Sequence, residues 1–98
     1  MNNNKQKIIS DFLSHLENEK KFSKHTIRAY EYDLNEFNFF LNKYSNGIKI
    51  KNVEASSLQF FIQSLSKIGL EGKTIQRKVS SIKSFFKYLT ENQIIDYN

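Results

Sequence analysis

The side chains best suited to chemistry lie on one side of the last long helical pattern, residues 72–89. Cations and small hydroxyls recur there at alternating steps of four and three, which brings them onto one helical face. The members of this face are Lys73, Arg77, Ser80, Ser84 and Lys87. None of them is an acid. Cations pair with phosphates, and short hydroxyl side chains allow a phosphate backbone to come close, so the face predicts contact with nucleic acid.

A second basic feature opens an earlier helical pattern, within residues 22–30, where Ser23 is suited to cap the helix. The first turn and a half that follows carries Lys24, His25, Thr26 and Arg28. Free backbone amides and the positive end of the helix dipole favour an anion there, so we expect this end to seat a phosphate. For His25, a phosphate contact and a purely solvated position are both open. Asp33 and Glu36 reverse the sign further along and are expected to form a solvated face.

The charge of the chain is concentrated rather than spread. Its 98 residues predict a single domain, residues 1–98, and include 15 Lys and Arg against 10 Asp and Glu, a net charge of +5. Residues 71–90 hold five cations against Glu71 alone, which gives that segment a net charge of +4. Charge alone is also typical of ribosomal, chaperone or membrane-surface proteins. Its concentration on one helix favours a localised basic surface.

Several kinds of chemistry are excluded or find no support. The chain has no Cys, which excludes disulfides, thiol catalysis and Cys-containing zinc sites. His15 has no partner at metal-ligand spacing, and Ser23 and Thr26 lack a base and an orienting acid. We therefore expect no metal, no cofactor and no catalysis. No apolar run approaches the roughly 18 residues that span a bilayer, and no secretory signal is present, so the sequence predicts a cytoplasmic protein without membrane association.

Four amphipathic helices must position the two basic features. The first is expected from about residue 5 to 19, and the second from just after Ser23 to Tyr44, with Tyr30 and Tyr44 in the core. The third should run from about 55 to 68 and end at a left-handed Gly69. The inward positions of the third are Leu58, Phe61, Ile62, Leu65 and Ile68. In the fourth, the apolar stripe opposite the basic face is Ile75, Val79, Ile82, Phe86 and Leu89.

The remaining segments are short. Asn46 and Gly47 predict a turn, and residues 48–55 predict an extended connector or brief strand that tucks Ile48, Ile50 and Val53 under the bundle. Ile94 and Ile95 are expected to pack back on the core as a last turn. With no Pro and no sustained strand pattern, the sequence predicts an all-α fold, a compact bundle of four main helices.

Two stretches of the sequence carry a family resemblance. Residues 22–34, which run FSKHTIRAYEYDL, and residues 69–89, which hold Gly69-Leu70, Lys73-Thr74-Ile75 and a basic run ending FFKYL, occur in order inside four helices. In this they resemble the N-terminal SAM-like core-binding domain of tyrosine recombinases and phage integrases, the Xer- and Cre-like group. The resemblance covers nearly the whole chain. Each stretch alone is a weak signal, and the two together are fairly specific.

The resemblance implies half of a clamp around duplex DNA. In that family a separate C-terminal domain performs catalysis with a nucleophilic Tyr and a 3′-phosphotyrosyl intermediate. The chain ends about where the family passes into its interdomain linker, so we expect a fragment of a longer protein that lacks the catalytic domain. The implied partners are duplex DNA, that catalytic domain and other recombinase protomers on DNA. The five Tyr residues here are not expected to include the nucleophile.

Matched position by position, the resemblance implies two groups of DNA contacts. One group is Lys24, His25, Thr26 and Arg28, and the other is Lys73, Thr74, Arg77 and Ser81. Arg28, Lys73 and Arg77 are the candidates for base edges, because their cationic groups can donate to guanine in the major groove. Thr26 and Thr74 are expected on phosphates. For the remaining candidates the argument is the helical face alone, and they are Lys78, Lys83, Ser84 and Lys87.

A second class of function remains open at this point. The chain could be a small helical protein-protein interaction module without DNA binding, because some of its aromatic residues exceed what one small core needs. Phe39, Phe40, Phe60 and Phe85 lie near the margins of their apolar stripes and are the candidates for such a surface. A salt titration discriminates the two classes, since phosphate binding weakens steeply with salt and an apolar interface does not.

Overall fold

The protein is a bundle of four α-helices and no strand over the residues that the structure, a computed structural model, describes: 3–44, 53 and 55–95. The helices are α1 Asn3–Asn18, α2 Lys24–Tyr44, α3 Ala55–Lys67 and α4 Gly72–Glu91. The expected all-α fold is confirmed, with helix bounds within about two residues of those read from the periodicity. None of the described helices is long and apolar enough to cross a membrane.

Local signals fix where the helices begin and end. Ser23 caps α2: its Oγ accepts a hydrogen bond from the Thr26 N–H at 3.2 Å and donates to Thr26 Oγ1 at 3.1 Å. After α3, Gly69 has φ of 91°, as its position predicted. The N–H of Leu70 donates to the carbonyl of Leu65 at 3.2 Å, and that of Gly69 to Ser66 at 3.0 Å. This pair of bonds is a Schellman motif, which satisfies the last carbonyls of α3.

Aromatic rings join the helices at two places in the core. Phe12 of α1 lies 5.3 Å from Phe85 and 5.0 Å from Tyr88 of α4, measured between ring centroids, and 6.0 Å from Tyr30 of α2. Phe37 of α2 lies 5.1 Å from Phe61 of α3. Such tilted and edge-on pairs add to the free energy gained by burying the rings themselves. Together they fix α2 and α4 against each other and against the other two helices.

The buried side of α4 is rotated from the predicted stripe. Ile82 and Leu89 are buried as expected, but Ile75, Val79 and Phe86 are only partly buried. The other buried residues of α4 are Lys78, Ser81 and Phe85. The prediction that Phe85 lies at the margin is therefore wrong. The rotation arises because α4 presents its polar positions 78 and 81 to α2 rather than to solvent.

Other predicted burial assignments are also corrected. Tyr44 is 55% exposed and Ile68 71% exposed, because each lies at the end of its helix, beyond the packed turns. Asp33, expected in a solvated face, has no exposed surface. Tyr30 packs against the core as predicted, although it is only partly buried.

The segments outside the helices agree with the sequence where they can be compared. Ile95 is buried, and the N–H groups of Ile94 and Ile95 donate to the carbonyl of Leu89 at 2.9 and 3.4 Å, so the last turn packs back on the core. Val53 of the predicted connector is buried too. The predicted turn at residues 46–47, together with Ile48 and Ile50, lies outside the described residues.

Candidate nucleic-acid interface

The basic face of α4 lies at the surface. Lys73, Arg77, Ser80 and Lys87 are exposed and Ser84 is partly buried, so we call these five residues the α4 stripe. One further step of four along the helix reaches Glu91, which is also exposed and ends the cationic run. Lys83 is exposed beside the stripe, and Thr74 is partly buried. The predicted cationic side of this helix lies at the surface, whereas the buried side is rotated and includes positions 78, 81 and 85.

The start of α2 is exposed throughout the predicted basic turn. Lys24, His25, Thr26 and Arg28 all face solvent. The Ser23 cap already uses the Thr26 N–H, so that amide is not free for an anion. Arg28 precedes Asp33 by five residues and so lies about 140° around the helix from it, whereas Thr26, seven residues before Asp33, shares its side. Because Asp33 faces α4, Thr26 lies on the α4 side of α2 and Arg28 does not.

Beneath the α4 stripe, the carboxylate of Asp33 joins α2 to α4. Its Oδ2 accepts hydrogen bonds from Arg77 Nη1 at 2.7 Å and from Ser81 Oγ at 2.8 Å. Its Oδ1 accepts from Lys78 Nζ at 3.3 Å. A buried carboxylate is costly unless it is paired and hydrogen-bonded, and these three donors meet that requirement.

Lys78 completes this buried ionic cluster. Its Nζ also donates to Glu36 Oε1 at 2.7 Å and lies 4.8 Å from the centroid of the Tyr32 ring. Lys78 and Ser81 are both buried, Lys78 between two acids. The prediction that placed Lys78 and Ser81 on the DNA-facing surface is therefore corrected, because their polar groups are turned toward α2. The cluster consists of Asp33, Glu36, Arg77, Lys78 and Ser81.

Arg77 belongs to both the exposed α4 stripe and the buried ionic cluster. Its side chain is 48% exposed, as a member of the α4 stripe, while Nη1 is bonded to the buried Asp33. The guanidinium group has five N–H donors in a rigid plane, so a bond through Nη1 leaves others to face outward. The Asp33 carboxylate therefore sets the direction of the Arg77 guanidinium. The two lysines of the stripe have no such partner within the part of the chain that the structure describes. Lys73 and Lys87 take part in none of the ion pairs found among the described residues.

The role of Asp33 was missed by sequence reasoning, although a signal was present. Asp33 stands at steps of three and four between Tyr30 and Phe37, both of which were read as core positions. An acid on an apolar stripe predicts a buried, paired carboxylate. Lys78 likewise precedes the buried Ile82 by four residues. Together the two patterns indicate a buried acid on α2 and a buried cation on α4, but not that these two side chains pair.

The described residues offer no group of three or more His, Cys, Asp or Glu side chains that could hold a metal ion. His15 is partly buried, with its ring 5.1 Å from that of Tyr88. His25 is exposed.

Exposed aromatic residues lie on another part of the molecule, where α2 ends and α3 begins. Phe39 is 70% exposed and Phe60 is also exposed, as the alternative interpretation expected. Phe40 is buried, which corrects its assignment to such a surface. The rings of Phe40, Tyr44 and Phe60 lie 4.8 to 5.6 Å apart. These residues are distant in sequence from the basic positions of α4.

Comparison with known proteins gives a consistent result. Residues 9–93 match the family described as "Phage integrase, N-terminal SAM-like domain". The chain is 35% identical over 92 residues to "Tyrosine recombinase XerC" of Lacticaseibacillus casei (strain BL23), covering 94% of this chain and 31% of that protein. It is 37% identical over 82 residues to the protein of the same name from Staphylococcus carnosus (strain TM300), covering 84% and 27%.

A relative with a different name gives the same coverage. "Tyrosine recombinase XerD" of Chlorobaculum tepidum is 33% identical over 93 residues, covering 95% of this chain and 30% of that protein. No solved structure matches the chain. The chain thus spans about a third of the length of the curated relatives it matches.

Proposed function

The chain belongs to the family of phage integrase N-terminal SAM-like domains, found in tyrosine recombinases, and from this premise we propose that it binds duplex DNA. In the proposal it forms the N-terminal half of a clamp that encloses the duplex. The catalytic step of recombination or integration belongs to a C-terminal domain of the longer protein, which acts in the cytoplasm with other protomers assembled on DNA.

One observation carries the proposal: from Lys73 to Lys87 the exposed side chains of α4 are four cations, one hydroxyl and one neutral amide, Gln76, with no acid among them. Two acids of α2 are paired with α4: Asp33, which is buried, and Glu36, which is partly buried. The stripe spans 15 residues, Lys73 to Lys87, and therefore about 21 Å, because each of the 14 steps between them rises 1.5 Å. A major groove about 12 Å wide admits one α-helix, so α4 has the dimensions and the charge to lie against it.

Different residues of the stripe would contact different parts of the DNA. Arg77 and Lys73 are the candidates for base edges on α4, and Lys87 and Ser84 for phosphates. At the start of α2, Lys24, His25 and Thr26 would contact phosphate or the groove edge, and Arg28 is the third candidate for a base edge. Thr74 would contact phosphate from α4. Lys78 and Ser81 would act only through the cluster that they form with Asp33. Binding by this part alone is expected to be weak, because the clamp has two halves.

Charge reversal tests the proposal. We expect the double variant Lys73→Glu with Arg77→Glu to bind a mixed-sequence 20-base-pair duplex at least about tenfold more weakly at low salt, because two cationic contacts are replaced by repulsion. Fluorescence anisotropy measures the affinity, and circular dichroism verifies the fold. Lys67→Glu, at the exposed end of α3 and outside the α4 stripe, is the control, and we expect it to lose much less affinity than the double variant. Equal affinities of the double variant and the control would contradict DNA binding through α4.

A further inference from the structure

Asp33 is fully buried and bonded to three side chains of α4, and a gain in stability alone does not account for this arrangement. It has no exposed surface, and three side chains of α4 donate to it, from positions 44, 45 and 48 residues further along the chain. Replacing a buried ion pair with well-packed apolar residues is often neutral or stabilising, so such a cluster is a weak device for stability alone. What it does provide is a fixed direction for the groups bonded to it.

Arg77 is the only one of these three donors that also reaches the surface. Its Nη1 lies 2.7 Å from Asp33 Oδ2, and Ser81 Oγ lies 2.8 Å from the same oxygen. The hydrogen bond from Ser81 fixes the Asp33 carboxylate, and this carboxylate in turn fixes one edge of the Arg77 guanidinium plane. Because that plane is rigid, fixing one edge also fixes the direction of the donors on the opposite, exposed edge.

Directed donors matter for one kind of DNA contact and not for the other. A phosphate accepts a cation from many directions, whereas a guanine edge is recognised by two donors aligned with its O6 and N7 atoms. We infer that Asp33 is a positioning residue, which aims the exposed edge of the Arg77 guanidinium at a base edge. This inference rests on the proposed function, since it gives one residue of the DNA-binding face a specific role.

The variant Asp33→Asn tests the inference because two effects on affinity have opposite signs. Removing an acid raises the net charge by one, which by itself strengthens binding to DNA. Releasing Arg77 weakens binding by at least about fivefold if Arg77 loses a base contact. The matched control is Glu31→Gln, an equal change of charge at an exposed position two residues away on α2. We expect Asp33→Asn to bind a mixed-sequence 20-base-pair duplex more weakly, and Glu31→Gln to bind it equally well or better.

A double-mutant cycle separates positioning from a general effect on the fold. In an Arg77→Ala background, Asp33→Asn should cause no further loss of affinity, because the residue through which it acts is gone. An equal loss in both backgrounds would overturn the inference, and so would an affinity of Asp33→Asn that matches Glu31→Gln. Circular dichroism and thermal melting verify that each variant is folded.

If Asp33→Asn does not fold, the variant Arg77→Lys tests whether the planar guanidinium of Arg77 is required. It keeps the surface charge but lacks the planar fork, so we expect an affinity within about twofold of Arg77→Ala. Retention of the unmodified protein's affinity by Arg77→Lys would overturn the inference. Failure of the unmodified protein to bind the duplex at low salt would instead contradict the proposed function, which distinguishes the two failures.

Discussion

Two neighbouring cations of α4, Arg77 and Lys78, have opposite surroundings. Arg77 is half exposed on the α4 stripe, whereas Lys78 is buried between Asp33 and Glu36. Adjacent residues of a helix point about 100° apart, and here that angle separates the surface from the interface with α2. The comparison teaches that the count of cations on a helix does not measure its binding surface. The direction of each cation, and the acid already paired with it, decide its role.

The largest expected effect concerns the buried side of this comparison. Lys78→Ala should lower the free energy of unfolding by about 3 kcal/mol, because it leaves the buried Asp33 with one donor fewer and the partly buried Glu36 without this ion pair. Urea unfolding, monitored by circular dichroism, measures this free energy. Lys87→Ala, on the exposed stripe, is the matched control and should change stability by less than about 0.5 kcal/mol. Similar losses of stability in the two variants would break the distinction between the cluster and the stripe.

Two adjacent serines sharpen the comparison with a smaller effect. Ser81 donates to Asp33 at 2.8 Å, whereas Ser80 is exposed. Ser81→Ala should therefore cost about 1 to 2 kcal/mol of stability, since it removes a hydrogen bond to a buried charge, and Ser80→Ala should cost about none. Thermal melting of both variants measures the difference. A larger loss of stability in Ser80→Ala than in Ser81→Ala would mean that α4 buries the side that carries Ser80.

The smallest expected effect is on the exposed side. Lys87→Gln should leave stability within about 0.5 kcal/mol and reduce the slope of log affinity against log salt concentration by about one, as for a single phosphate contact. Anisotropy titrations at several salt concentrations measure the slope. Lys67→Gln is the control, with an unchanged slope expected. An unchanged slope in Lys87→Gln would remove that residue from the proposed interface.

Much of the fold follows from local rules in the sequence. The Ser23 cap and the left-handed Gly69 depend on neighbouring residues only, and both are confirmed. The α4 stripe is likewise given by periodicity, because cations at helical spacing with no apolar neighbours on their side must face solvent. The family resemblance, confirmed by the match over residues 9–93, added the expectation of the SAM-like domain.

The ionic cluster could not be predicted in the same way. Its bonds join residues more than 40 positions apart and depend on how α2 packs against α4. Periodicity assigns polar residues to the surface, so it misplaced Asp33, Lys78 and Ser81. It also cannot decide between Phe85 and Phe86, because two adjacent apolar residues fit the stripe almost equally well. The packing of a second helix makes that choice.

The most direct test of the central claim is an amide NMR titration of the isotope-labelled chain with mixed-sequence duplex DNA at low and then moderate salt. The account predicts shifts confined to the start of α2, residues 23–30, and to α4, residues 72–88, which diminish as salt rises. Absence of shifts at low salt would contradict it. So would shifts centred on Phe39 and Phe60 that persist at moderate salt.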